Sequence, residues 1–205
     1  MYASHVPVIS WAMRTYPKIF MRGCMFAILS ARVPFNRVPD QMLDLKAKGD
    51  KSPCLWGWKF DAFAYLSEHY ARLSMNVCAT DDAGEAIGHL CTVPGLGIVK
   101  AAFVAQMLGH DVACLDVRNI EREGLPPRAW RSDGGARKTT KAFERKIARY
   151  VEQTSGRAQE LWDTWCNEVG HDYGFTGEQI SRMHVDAIVP RKLQDLYANQ
   201  NEIPF

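Results

Sequence analysis

LCTVPGLGIVKAAFVAQMLG, residues 90–109, carries the end of one helix into the start of another through a tight turn, Pro94-Gly95-Leu96-Gly97. Glycine accepts positive φ and lets another chain segment approach closely. The first amides of a helix have no partner within it and carry the positive end of its dipole. Two uses follow for such a turn. Either it is a plain αα-corner that lets two helices pack closely, or it seats an anion such as a phosphate.

Working outward from the turn, the pattern is helical, with few β-branched alternations. IFMRGCMFAILSAR (19–32) is apolar nearly all round and predicts a buried central helix. PDQMLDLKAKG (39–49) starts on Pro and Asp and ends on Gly49, the punctuation of a helix. A tryptophan-bearing connection, KSPCLWGWK, follows it. The segment 60–77 predicts an amphipathic helix with Phe60, Phe63, Ala64, Ser67, Tyr70, Ala71 and Ser74 at helical spacing. Thr80 or Asp81 is placed to cap the helix DAGEAIGHLC that leads into the turn. Beyond Gly109, HDVACLDVRNIER ends in loop signals at Gly124, Pro126 and Pro127, and RSDGGARK (131–138) is polar. A long amphipathic helix is expected from Thr139 to about Glu168, then two short ones, Gly177 to Ile188 behind a Thr176 cap and Pro190 to Asn199. The expected fold is all-α, with roughly eight to ten helices.

The 205 residues are 47% hydrophobic and 23% charged, enough apolar content to bury a sizeable interior. Arg22, Lys100 and Asp111 interrupt the longest apolar runs, so no membrane span is expected. The first twenty residues lack the pattern of a signal peptide, which makes a reducing, cytoplasmic interior the expected location. Six widely spaced cysteines without a C-x-x-C pair, and histidines without an H-x-x-x-H pair, call for no metal and no cofactor. The net charge of +2 hides an asymmetry: residues 118–149 hold ten Lys/Arg against four Asp/Glu, and residues 150–205 hold four against nine. A basic strip of that kind is either a solvated helix face or a track for phosphates.

The turn, followed nineteen residues after Gly97 by the acid Asp116, resembles the helix–hairpin–helix DNA glycosylases, the superfamily of endonuclease III and the adenine-mismatch glycosylases. The elements that carry the resemblance are Val93-Pro94-Gly95-Leu96-Gly97, the apolar run Ala113-Cys114-Leu115 ending in Asp116, and ILSARVPFNRV (28–38), where Arg32 stands in place of a common glutamine. It spans roughly residues 17 to 122. The resemblance implies a two-lobed helical bundle forming one glycosylase-like unit over 1–205. Residues 17–122 would form the core lobe, with the hairpin at 82–109, and 1–16 with 123–205 the second lobe. It implies double-stranded DNA as the partner, bearing a damaged, mismatched or modified base that is flipped out of the stack.

By the same resemblance, Gly95, Leu96 and Gly97 form the phosphate-binding turn, Lys100 supports it as a cation, and Asp116 is catalytic. An aspartate beside a glycosidic bond stabilises positive charge developing on the sugar and activates water. A capping role or an ion pair with Arg118 or Arg122 competes for the same residue. Arg32 is a candidate for contact with the duplex, Trp56 and Trp58 for stacking on the flipped base, and Lys138, Lys141 and Arg145 for phosphate contact along the strip. The lysine nucleophile of bifunctional members would fall on Val99, with Lys100 about 100° further round the helix, and the four-cysteine cluster is absent. A monofunctional N-glycosylase is therefore expected. Two alternatives stay open. Glycosylase-like proteins of bacteriophages, thought to replace an activated group on 5-hydroxymethyluracil in DNA with an amino acid or amine, resemble the same core. A non-catalytic DNA-binding module would use the turn for positioning alone.

Overall fold

The computed structural model describes residues 1–126, 128–131 and 140–201, and all of its regular structure is helical, with no strand among the described residues. The chain runs through α1 (Tyr2–Thr15), α2 (Pro17–Leu29), α3 (Val38–Lys48), α4 (Trp58–Ala79), α5 (Ala83–Leu90), α6 (Ile98–Met107), α7 (Val117–Arg122), α8 (Lys141–Thr154), α9 (Ala158–Tyr173), α10 (Gly177–Ile188) and α11 (Arg191–Asn201). Among these residues no helix is long and apolar enough to cross a membrane.

Pro17 opens α2, where its missing N–H costs nothing and its fixed φ suits the first turn. The helix then buries Phe20, Cys24, Met25, Phe26, Ala27, Ile28 and Leu29, because α1, α3, α4, α6 and α10 all pack against it. At its far end the buried Lys59 donates from Nζ to the Leu29 carbonyl at 3.1 Å. That places a cation on the negative end of the helix dipole. One apolar cluster runs from Val6 on α1 through α2, α4, α5 and α6 to Val189 after α10. Residues 17–122 and the flanking segments therefore share a core.

Three local expectations change on folding. The helix before the turn is capped by Asp82, whose carboxylate accepts the Glu85 amide at 2.7 Å, rather than by Thr80 or Asp81. Thr80 instead donates its hydroxyl to Glu85 and accepts the Asp82 amide. On α4 the buried face is Lys59, Ala62, Leu66, Leu73, Ser74 and Val77, while Phe60, Ala64, Ser67 and Ala71 are exposed. Phe60 lies off this face, Phe63 and Tyr70 are half-buried at its edge and Ser74 belongs to it, so the buried stripe is displaced round the helix from the expected one. The long helix expected over 139–168 is two helices. Gly156 breaks it at φ +74, and the Asp111 carboxylate holds the break by accepting the Gly156 amide at 2.8 Å and the Ser155 hydroxyl at 2.7 Å. The Thr176 cap on α10 forms as expected and closes a capping box with Gln179.

Candidate functional site: an aromatic cavity beside the glycine turn

α5 and α6 pack against each other across the turn. Gly95 has φ +78, and a Cβ there would stand 2.0 Å from Cε3 of Trp58, so the residue answers both to backbone conformation and to the indole lying on it. Leu96 is buried, and its amide donates to the Val93 carbonyl at 3.1 Å. Gly97 is the N-cap of α6 in extended conformation and offers no side chain to cap it. Val99 packs against the core, and the next step round α6 carries Lys100 to the wall of a cavity.

That cavity measures about 220 Å³ and lies where the C-terminal end of α2, the Phe35 turn, α6 and the start of α7 meet α9 and α10. Six of its wall residues bring their rings close together: Phe26, Phe35, Phe103, Trp162, Trp165 and His184. Lys100 Nζ donates to Ser30 Oγ at 2.8 Å and sits 5.7 Å from the centre of the Phe103 ring. Ser30 donates its own hydroxyl to the Ala27 carbonyl.

Asp116 lines the same cavity. It is the N-cap of α7, with Oδ1 accepting the Asn119 amide at 3.1 Å, and its other oxygen accepts the Trp165 indole N–H at 2.5 Å. The ion-pair alternatives are taken up elsewhere: Arg118 pairs with Asp172, and Arg122 with Glu168 at 2.5 Å. The segment that delivers Asp116 is clamped from behind. The buried Tyr150 hydroxyl donates to the Ala113 carbonyl and accepts the Leu115 amide, both at 2.8 Å. Gln106 accepts the Cys114 amide at 3.1 Å and donates to the Ala158 carbonyl at 2.7 Å. Burial among these groups pushes the Cys114 thiol up to about 12, so it is no nucleophile at neutral pH.

The floor of the cavity is His184 on α10, with the rings of Trp162, Phe35, Phe26, Trp165 and Phe103 centred 4.7, 4.8, 5.2, 5.7 and 5.9 Å from its own. Burial drives its pKa down to about 4, with Lys100 and His5 adding to the fall. The imidazole is therefore neutral near pH 7. Its Nδ1 lies 2.9 Å from the Ile180 carbonyl, which fixes the proton on that nitrogen and the lone pair on Nε2.

Of the residues singled out in the sequence, Asp116 and Lys100 come together on one cavity. Trp56 and Trp58 do not join them. Trp58 covers Gly95, Trp56 is exposed, and the Lys59 ammonium lies 5.3 and 5.9 Å from the two rings. Arg32 is exposed at φ +59 just past the end of α2, next to Val33 on the cavity rim. Lys141 and Arg145 are exposed on α8, which packs against α5 and so adjoins the turn-bearing helix pair. Lys138 lies outside the described residues. The sequence reading missed Tyr150, Trp162, Trp165 and His184, whose only signal was their aromatic character on helices. Among the described residues no group of three or more His, Cys, Asp or Glu could hold a metal ion.

Compared with family models, with curated proteins and with solved structures, the chain finds no match.

Proposed function

We propose that this protein binds duplex DNA through the glycine turn and takes a flipped base into the aromatic cavity, where Asp116 supports cleavage of its N-glycosidic bond. In this proposal the fold is of the helix–hairpin–helix glycosylase type. The observation that carries it is the meeting of a half-buried carboxylate, a lysine ammonium and a cage of rings on one cavity, a few residues along α6 from the turn. Rings take a base by stacking, and unstacking it from the duplex costs about a few kcal/mol, which the stacking in the cage offsets. Asp116 is held by two donors, which fixes its direction. A fixed carboxylate stabilises the positive charge that develops on the sugar as the bond to the base lengthens. Lys100, tied to Ser30 by the bond from its Nζ and lying one step round α6 from Val99, serves in this proposal as a cation supporting bound DNA rather than as an amine nucleophile.

The test is release of the base from duplexes carrying damaged, mismatched or modified bases, read as abasic sites, in the wild type and in Asp116→Asn. Asparagine caps a helix about as well as aspartate, so the variant keeps α7 while removing the charge and, with one acceptor oxygen in place of two, the bond from the Trp165 indole. The expected loss in rate is about a hundredfold or more, with duplex affinity retained. Borohydride trapping of the protein on DNA would assign the chemistry to the Lys100 amine instead. A base that gains mass and stays attached would replace cleavage by transfer. Binding that is intact in both proteins, with no chemistry on any duplex, would leave a DNA-binding module.

A further inference from the structure

We infer that His184 reads the edge of the captured ring: its Nε2 accepts a hydrogen bond from a heterocycle N–H that stands beside a carbonyl, the imide or lactam edge of a nucleobase. This rests on base capture as proposed above and adds the edge that is recognised. His184 is 1% exposed, lines the cavity, and its Nε2 has no hydrogen-bond partner among the described residues. With Nδ1 turned to its own helix, Nε2 lies on the far edge of the imidazole, among the rings of the cage.

Other polar groups on the wall are committed within the fold. Gln106 bridges Cys114 and Ala158, Asn119 donates to Cys114 and accepts from Arg122, and the Trp165 indole serves Asp116. A buried acceptor without a donor is costly to keep, which is why such atoms in folded proteins call for an explanation. A planar ring stacked in the cage with an N–H toward the floor supplies the missing donor. The Lys100 ammonium, with one of its three protons on Ser30, has others to offer an adjoining carbonyl.

The experiment uses 1-methyluracil and 1,3-dimethyluracil, which differ only in whether N3 carries a proton or a methyl group. Binding is read by tryptophan fluorescence and by the ¹⁵N resonance of His184 Nε2, in the wild type and in His184→Phe. The expected result is about a tenfold preference for 1-methyluracil, a shift of the Nε2 resonance with that ligand alone, and loss of the preference in the phenylalanine variant. A preference that survives in His184→Phe is steric and overturns the inference. So does equal binding of the two ligands with Nε2 unmoved, which would leave base capture standing without this contact. Failure of both to bind also overturns it, while duplex binding and the Asp116→Asn result decide the function proposed above independently. Should the variant not fold, the wild-type Nε2 resonance decides alone.

Discussion

His184 couples the cavity to stability through its proton. Burial holds its pKa near about 4 in the folded chain, against about 6.5 for an unfolded histidine, so between these values the unfolded state binds more protons. Stability then falls as the pH drops from about 6.5 toward 4 and levels below that, for a total of up to ~3 kcal/mol from this group. Other histidines contribute with the same sign: His5 is also lowered, by burial working against Glu178, and His110 by burial and Arg14. Subtracting the stability of His184→Phe isolates the one residue, since both proteins keep His5, His110 and the facing Lys100. Denaturant titrations at several pH values should show the wild type losing ground to the variant between about pH 6.5 and 4. A constant difference across that range would mean that the imidazole does not titrate as its burial dictates. The sequence exposed only part of this site. Asp116 could be picked out because an isolated acid at a fixed distance from the glycine turn is a linear pattern. Trp165 and His184 sit on helices remote in sequence, where an aromatic residue reads as core until packing decides which cavity it faces.

At the scale of elements, the glycine turn is held as much by Trp58 as by its own backbone. An alanine at Gly95 would need the left-handed region, at about 1–2 kcal/mol, and would press its Cβ into the indole, at about 1–3 kcal/mol. Gly95→Ala should therefore lower stability by about 2–5 kcal/mol, read from the denaturation midpoint at constant slope. Combined with Trp58→Leu, which clears space above the turn, its cost should shrink by about 1 kcal/mol or more. Strict additivity would show that the indole does not press on Gly95. Helix existence was legible at this scale because capping residues and apolar spacing are local, as at Thr176 and in the central α2. Helix faces and breaks were less so. The exposed Phe60 misled because α4 buries whichever stripe fits α2, and the break at Gly156 depends on Asp111, which is distant in sequence.

Over the whole molecule, the charge split seen in the sequence resolves into pairing and remainder. Arg118 and Arg122 belong to the basic stretch, yet they are met by Asp172 and Glu168 on α9, and Lys146 donates to the Arg131 carbonyl. Lys141, Arg145 and Arg149 stay exposed on α8, outside the ion pairs among the described residues. The acidic C-terminal portion thus neutralises one end of the stretch and leaves α8, beside the helix pair of the turn, as its open face. If duplex phosphates lie along that face, each contact releases condensed counterions, and the slope of log affinity against log salt falls by about 0.9 per contact removed. Lys141→Ala with Arg145→Ala should flatten the slope by about two, weakening every duplex sequence alike. Lys192→Ala on α11, which packs on α1, should leave it unchanged. An unaltered slope in the double variant would take α8 out of the interface and confine DNA contact to the turn and the cavity rim.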